Sequence, residues 1–429
     1  MQWLRFRDAM LAHAPTLRSV VLTSGARAYA ALTTFVSLVL TVRWLGAEAR
    51  GAIVVVTTWV TLFANLGSLT LWQVSVHRGA EGRGKPWLGP FLGALLIVSV
   101  GGTLVGWIVI AGLAGAARTE LFHGIPLLAL AIGFVALPFQ MWEFFVASLL
   151  SVVGRLGFFN LNQIVSRTIG LVAMIVGVKL LGLGIYGVLV AFLLTEILIS
   201  AAGLTVLARQ ATGALRDGVK ELPGLIRDGL KMHLHTIGVL LYGSSDILLL
   251  HHFKGTAAAG IYQFASTTFM ALLLIPHSAV LALQSKVGST SLEGFWPEHR
   301  TIIAVGVLGM SLVAAAVWLI APWLTVILVT PRFIDAARAL RILVIALPVA
   351  TFVWLMLVQW LARGLFLPLG LLFFSMGLLN LVLNLFLVPR FGGTGAAWST
   401  VLMWFTLPLA ANILMVRLVQ REHRALLSR

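Results

Sequence analysis

The sequence has no cysteine in its 429 residues, and only 10% of them are charged. The lack of cysteine excludes disulfide bonds and cysteine metal sites, and it leaves the redox compartment unspecified. The low charge excludes an ordinary soluble domain, in which about 25% of residues are charged. Common catalytic signatures (a Walker loop, GxSxG, HExxH) are missing too. The chain is therefore not expected to be an enzyme or a self-contained ATP-driven pump, and no cofactor is predicted.

What the chain has is apolar sequence, which makes up 60% of it. A bilayer core requires roughly 20 apolar residues per helix, and such runs follow one another here. The runs are continuous rather than alternating, which favours helices over a closed barrel. The predicted fold class is an all-α polytopic membrane protein with about 12 transmembrane helices. The predicted spans are 19–44, 51–76, 88–113, 121–149, 158–181, 184–208, 225–251, 257–284, 302–329, 337–361, 365–388 and 394–417.

The longest polar run, RQATGALRDGVKELPGLIRDGLK, covers residues 209–231. Six predicted spans precede it and six follow, so it is interpreted as a cytoplasmic linker that runs into span 7. The predicted domains are a cytoplasmic tail (1–18), an N-terminal six-helix bundle (19–208), the linker (209–231), a C-terminal six-helix bundle (225–417) and a second cytoplasmic tail (418–429).

The formal net charge of +16 predicts an orientation rather than a nucleic-acid partner. Basic residues hold cytoplasmic loops against an anionic leaflet. With the N-terminus inside, 19 Lys and Arg residues fall on the inner side and 9 on the outer side. Both termini are therefore predicted to be cytoplasmic.

Glycine pairs reveal an internal repeat. The turn after span 1 matches the turn after span 7 at an offset of 209, and the turn after span 5 matches the turn after span 11 at an offset of 208. The residues concerned are Gly46, Gly51, Gly255 and Gly260 in the first match, and Gly184, Gly187, Gly392 and Gly395 in the second. Six spans per half give parallel halves related by a pseudo-twofold axis along the membrane normal. Such repeats are typical of alternating-access transporters rather than membrane enzymes.

Spans 1, 2, 7 and 8 carry polar residues at helical spacing. These stripes include Arg27, Thr34, Ser37 and Thr41 in span 1, Thr61, Asn65 and Ser68 in span 2, His235, Tyr242 and Asp246 in span 7, and Gln263, Ser266 and His277 in span 8. A polar stripe either joins helices or lines a wet cavity. The charged members favour the cavity, because contacts between helices do not need a charge.

Two arginines lie within predicted spans. Arg27 is about 12 Å into span 1 at 1.5 Å per residue. It either extends to the cytoplasmic headgroups or contacts an anion, since guanidinium binds phosphate in a bidentate manner. Arg167 shares a face of span 5 with Asn160 and Gln163, and the same two interpretations apply.

Three further residues are candidates for coupling ions. Glu196 lies near the middle of span 6, where it either pairs with an arginine or binds a proton or sodium ion. Asp246 lies nearer the outer end of span 7. His277 either titrates near neutrality or serves as a hydrogen-bonding partner. The pairs His233/His235 and His251/His252 form no convincing metal set with carboxylates, so no metal site is predicted.

Three segments carry a family resemblance: RWLGAEARG with the Asn65-Leu-Gly end of span 2, SSDILLLHHFKGTAAAGIYQFAS from Ser244, and NLVLNLFLVPRFGGTGAAWST from Asn380. In the second segment, Asp246 lies where the family has an acidic residue. In the third segment, Asn384, Pro389 and Gly392 match the family's signature in spans 11 and 12. Together they resemble polysaccharide exporters, the O-antigen (Wzx-type) lipid-linked oligosaccharide flippases of the MOP superfamily, which also contains the MATE transporters.

The resemblance implies two six-helix bundles around a cavity lined by spans 1, 2, 7 and 8. It implies transport of an undecaprenyl-diphosphate-linked glycan across the bacterial inner membrane. Coupling to H+ or Na+ through Glu196 or Asp246 is a further hypothesis, and membrane lipids and a glycan polymerase or chain-length protein are candidate partners. The role of a cavity arginine maps onto Arg27 and, less directly, Arg167; the basic lining residue that the family usually has in the second half is not evident in spans 7 and 8. The alternatives are a multidrug/cation antiporter of the same superfamily and an integral-membrane glycan polymerase or ligase.

Overall fold

The computed structural model describes residues 2–81, 86–116, 118–287 and 292–427, and the regular structure within these ranges is helical. The α-helices are α1 (Gln2–Gly67), α2 (Leu71–Glu81), α3 (Leu88–Ala116), α4 (Arg118–Leu121), α5 (Leu127–Val135), α6 (Leu137–Val152), α7 (Leu156–Ile175), α8 (Ile185–Gln210), α9 (Gly218–Lys254), α10 (Thr256–Val287), α11 (Leu292–Leu328), α12 (Ile334–Leu343), α13 (Leu347–Ala362), α14 (Phe366–Phe391), α15 (Gly393–Phe405) and α16 (Leu407–Leu427). A π-helical turn (Val176–Leu180) follows α7, and 3-10 turns cover Leu215–Asp217, Pro331–Phe333 and Val344–Ala346.

Within the described part of the chain, 11 helical segments are long and apolar enough to cross a membrane. The first, Ser24–Gly67, is 44 residues long and contains predicted spans 1 and 2, because the chain is helical on both sides of a kink at Gly46. Counting its two arms separately gives the predicted 12 spans. The all-helical, polytopic fold class is confirmed, and the protein is a multi-pass integral membrane protein.

Four predicted spans are interrupted. Span 2 was predicted to continue to residue 76, but its helix ends at Gly67, and Leu69 and Thr70 have positive φ angles of 48° and 59° before α2 begins. Spans 4, 10 and 12 each break just before a proline: Pro138, Pro348 and Pro408. Proline removes a backbone donor and crowds the preceding turn, so the helix is divided there although the apolar sequence continues.

Helix also extends into segments predicted to be irregular. The segment 1–18, predicted as a tail, is helical from Gln2 as part of α1. In the predicted linker 209–231, α8 ends at Gln210 and α9 begins at Gly218. The irregular connection between the halves is therefore much shorter than the polar run. The boundaries of the two bundles remain predictions.

The repeated glycines adopt matching backbone conformations. Gly46 has φ 84° and ψ −179°, and Gly255 has φ 86° and ψ 173°. Gly184 has φ 55° and ψ −128°, and Gly392 has φ 58° and ψ −134°. These left-handed conformations favour glycine because it has no Cβ. The two halves thus reverse direction in the same way at equivalent places.

The other glycines of the repeat allow close helix contact. A Cβ on Gly51 would lie 1.7 Å from the carbonyl oxygen of Thr256, and a Cβ on Gly260 would lie 2.2 Å from that of Ala47. These two contacts are equivalent under the offset of 209, so the second arm of α1 and the start of α10 meet symmetrically. Gly187 and Gly395 likewise leave no room for a Cβ, with backbone atoms of Gly177 and Leu387 at 2.9 Å and 2.4 Å.

Candidate functional site: two cavities lined by arginine

A cavity of about 910 Å³ lies near the start of α7, beside the part of α1 that begins at Ala26. Its walls come from α1, α2, α6, α7 and α10. The polar lining includes Arg27, Asn65, Gln163 and Arg167, which come from separate stretches of the sequence. The cavity therefore gathers residues of predicted spans 1, 2 and 5, and Leu274 of α10 completes it from the second half.

A second cavity of about 250 Å³ lies farther along the bundle. Thr34, Arg50, Glu196 and Gln263 line it, and Arg167 lines both cavities. Of the charged residues that line the two cavities, three are arginine and one is glutamate. The lining is therefore cationic, which suits an anionic ligand.

Arg27 is exposed in the larger cavity and forms no ion pair with any acidic residue that the structure describes. It stands 14 residues before Thr41, a rise of about 21 Å along the helix at 1.5 Å per residue. Arg50 donates a hydrogen bond to Thr41. Arg27 and the contact of Arg50 are therefore about 21 Å apart along this helix. Arg167 lies between them, since it borders both cavities.

Sequence reasoning missed Arg50, which it counted as an outer loop residue. Its guanidinium is buried, with Nε donating to Oε1 of Gln263 at 2.7 Å and Nη1 donating to Oγ1 of Thr41 at 3.2 Å. Neither partner carries a charge, although a buried charge in a membrane protein costs about 2.5–3.5 kcal/mol even on lenient scales. The kink at Gly46 directs Arg50 inward, and the only sequence signal for this is its place one turn after that glycine.

Arg167 belongs to a compact polar network. Its Nη2 donates to Oε1 of Glu143 at 3.2 Å, and its Nε donates to Oε1 of Gln163 at 2.7 Å. Nε2 of Gln163 donates to the same Glu143 oxygen at 2.7 Å. The carboxyl of Glu196 lies near that of Glu143. Its Oε2 is buried without a partner among the described residues.

Asp246 lies in a second, separate polar cluster inside the C-terminal half. Its Oδ2 accepts from the Tyr262 hydroxyl at 2.6 Å and from Thr400 at 3.1 Å, and its Oδ1 accepts from Nδ2 of Asn384 at 2.5 Å. Nδ2 of Asn384 also reaches Oδ1 of Asn380 at 2.9 Å. Asn384 of the span 11 signature therefore contacts the aspartate of span 7 directly, and Asn380 contacts Asn384. Side-chain oxygens of this kind are the ligands of hard cations.

The remaining predicted site residues have other surroundings. Ser68 is buried in the turn after α1, where it donates to the Asn65 carbonyl at 2.9 Å, and it lines neither cavity. His277 packs edge-on against Trp354 with ring centroids 3.8 Å apart, and its Nε2 has no partner in the described structure. Thr34, Asn65 and Gln263 line the cavities as stated above. The predicted cavity set thus comes together except for Ser68, while Asp246 and His277 are not among the residues that line either cavity.

Comparison with solved structures supports the helical arrangement. The lipid II flippase MurJ in an inward closed conformation aligns with a TM-score of 0.74 at 13% identity, covering 92% of this chain and 87% of that one. A multidrug resistance MATE family transporter of the MOP superfamily, inward-facing, aligns with a TM-score of 0.69 at 16% identity, covering 91% and 95%. A MOP superfamily transporter from Pyrococcus furiosus aligns with a TM-score of 0.64 at 15% identity, covering 94% and 95%. The fold is therefore MATE/MurJ-like.

Curated protein sequences give no significant match to the chain. The family model described as "Polysaccharide biosynthesis protein" matches residues 16–284, which is more than half of the chain. This range includes Arg27, Arg50 and Arg167, and it also includes Asp246 of span 7. The chain belongs to the polysaccharide biosynthesis protein family, and its fold is like that of the MOP superfamily proteins with which it aligns.

Proposed function

We propose that the protein is a flippase that moves a polyprenyl-diphosphate-linked oligosaccharide, an O-antigen or exopolysaccharide repeat unit, across the bacterial inner membrane by alternating access. The observation that carries this proposal is the succession of Arg27, Arg167 and Arg50 along two adjoining cavities. The family match and the MurJ-like fold support the same class of substrate. The charge count supports cytoplasmic termini, so the larger cavity is the entrance from the cytoplasm.

A diphosphate is the group that these arginines suit best. A guanidinium binds phosphate oxygens through two parallel hydrogen bonds, and the low dielectric of the bundle strengthens the attraction. Arg27, which forms no ion pair with a described acidic residue, meets the headgroup first. Arg167 then exchanges its hydrogen bond to Glu143 for one to the diphosphate, and Arg50 holds the group near the far end. The sugar occupies the larger cavity, and the lipid chain stays in the bilayer.

The coupling ion binds at Asp246 or Glu196. Asp246 with the amide oxygen of Asn380 and the hydroxyl of Thr400 provides oxygen ligands suited to Na+, and the cation would replace the Nδ2 donor of Asn384 that now lies between Asp246 and Asn380. Glu196 adjoins Glu143 next to Arg167, where a proton on one carboxyl relieves the repulsion between the two. A proton there also alters the charge around Arg167, which links the ion to the substrate site.

The two alternatives fit the described site less well. A multidrug/cation antiporter needs an acidic cavity for cationic drugs, whereas the cavity lining contains three arginines and one glutamate. A polymerase or ligase generally needs a substantial loop outside the membrane. The described loops on the predicted outer side are short, as in Leu181–Gly184 between the π-helical turn and α8.

The test is complementation of a gene deletion in the native host with single variants. Arg27→Ala, Arg50→Ala and Arg167→Ala are each expected to reduce surface glycan at least tenfold while membrane protein levels stay equal. Arg338→Ala is the matched control, because Arg338 is exposed, lines neither cavity and pairs with Asp335 on the same helix. Normal glycan output from Arg27→Ala and Arg167→Ala together would overturn the proposal.

A further inference from the structure

An apolar groove of about 370 Å³ separates the two halves on the side of the molecule where α9 ends. Trp59 and Leu62 of α1 form one wall, and Leu241, Leu248 and Leu385 of α9 and α14 form the other. The groove lies within membrane-spanning segments, and Leu385 is 45% exposed. Its volume falls within the range of about 300–1,000 Å³ that is usual for ligand pockets. Lipid chains rather than water therefore surround this groove.

The end of the groove is polar and basic. His251 and His252 line it, and Lys254 follows on the last turn of α9. Nδ1 of His252 donates to the backbone carbonyl of Glu120 at 3.1 Å, and Nδ1 of His123 approaches the same carbonyl at 3.3 Å. The helix end thus meets the loop before α5 at the level where a lipid headgroup lies.

His251 is the residue that points to a ligand. Its side chain lines the groove and is only 1% exposed. It stacks face to face on His123 with ring centroids 4.3 Å apart. The backbone of Leu121 lies near the ring, but neither ring nitrogen has a partner with hydrogen-bond geometry within the described residues. A buried, unsatisfied nitrogen costs about 1–3 kcal/mol, so a hydrogen-bonding ligand at this position would remove a substantial penalty.

We propose that this groove binds an anionic phospholipid of the outer leaflet, with one acyl chain between the two halves and the phosphate at His251, His252 and Lys254. The apolar walls suit the chain, and the histidines and lysine suit the phosphate. This site is separate from the arginine-lined cavities and does not depend on the substrate proposed for them.

Occupation of the groove has a consequence for conformation. Trp59, Leu62 and Leu121 belong to the first half, whereas the facing leucines belong to the second. A lipid between them contacts both halves only while they stay close together on this side. By linkage, the bound lipid stabilises the conformation that is closed on the side where α9 ends, and it resists opening there.

The test measures lipid retention by the purified full-length protein, with native mass spectrometry and thermal unfolding as readouts. The probes are phosphatidylglycerol, diacylglycerol with the same chains, and inorganic phosphate. Wild type is expected to retain phosphatidylglycerol at least tenfold more strongly than diacylglycerol. Inorganic phosphate alone is expected to leave the unfolding temperature unchanged.

Two variants fill or alter the groove, and one neighbour provides the control. Leu385→Trp fills the groove, and His251→Leu removes the ring nitrogens; each is expected to reduce phosphatidylglycerol retention at least tenfold. Phe386→Trp changes the next residue of α14, which is 62% exposed and outside the groove lining, and it is expected to behave as wild type. Equal retention by Leu385→Trp and Phe386→Trp would overturn the proposal. So would equal binding of diacylglycerol and phosphatidylglycerol, or stabilisation by free phosphate alone.

Discussion

Arg50 of the first half donates a 2.7 Å hydrogen bond from Nε to Oε1 of Gln263 in the second half. The bond lies next to the place where Gly51 meets Thr256 and Gly260 meets Ala47. A charged residue of the smaller cavity is therefore also part of the contact between the halves. If alternating access separates the halves at this end, the Arg50–Gln263 bond must break, and an anion in the cavity can compete for the same guanidinium.

Gln263→Ala is expected to open this end of the cavity more often. It removes a charge-assisted hydrogen bond worth about 1.5–3 kcal/mol, which corresponds to at least a tenfold shift in the equilibrium. The protein has no native cysteine, so a single Thr34→Cys reporter can be labelled cleanly with an impermeant maleimide from the outer side. The labelling rate should rise about tenfold. The Arg338→Ala background should leave the rate unchanged, because Arg338 pairs with Asp335 on its own helix and does not join the halves. An unchanged rate in Gln263→Ala would contradict the role of the bond.

Gly51→Ala is expected to destabilise the protein, although alanine favours helix. The added Cβ would lie 1.7 Å from the Thr256 carbonyl oxygen, and forced repacking of this kind costs about 1–3 kcal/mol. Thermal unfolding in detergent measures the effect. Gly309→Ala is the matched control, since no atom lies within 4 Å of its added Cβ; it should be neutral or stabilising by about 0.5–1 kcal/mol. Equal unfolding temperatures for the two variants would contradict the close contact.

Asp246→Asn is expected to abolish a cation response. The substitution keeps the shape of the side chain but removes the negative charge and gives an NH2 group to surroundings that already donate hydrogen bonds from Tyr262 and Thr400. Na+ should raise the unfolding temperature of wild type relative to K+, and it should not do so for the variant. Asp335→Asn, at an exposed pair with Arg338, is the control. A sodium response that survives in Asp246→Asn would assign the cation elsewhere.

The sequence predicted the helical fold and several members of the site, for identifiable physical reasons. Long apolar runs indicate transmembrane helices directly, because backbone N–H and C=O groups in lipid must hydrogen-bond to each other within the helix. Gly46 and Gly255 were predictable as equivalent turns, since a left-handed backbone favours glycine. Asp246 stood out as part of a polar stripe in span 7, and Asn380 and Asn384 stood out through the family resemblance. Each of these signals is local in the sequence.

Arg50 and the interruptions of the spans could not be predicted in the same way. Arg50 lies at the edge of an apolar run, where a loop arginine and a buried one look alike, and only the direction of the chain after Gly46 distinguishes them. Its partner Gln263 is 213 residues away. The two-part cavity also depends on how separate helices pack, which side-chain periodicity within one helix does not determine.

Glu143→Gln is expected to tighten the binding of an anionic ligand. Glu143 holds Arg167 through a 3.2 Å ion pair, so a diphosphate must displace a carboxylate from this arginine. Glutamine keeps the size of the side chain but removes the competing charge. The affinity for a polyprenyl diphosphate in detergent should rise about tenfold, or about 1.4 kcal/mol. The gain should vanish in Glu143→Gln combined with Arg167→Ala, because the two residues then no longer interact. Weaker binding by the single variant would mean that Glu143 positions Arg167 rather than competing for it.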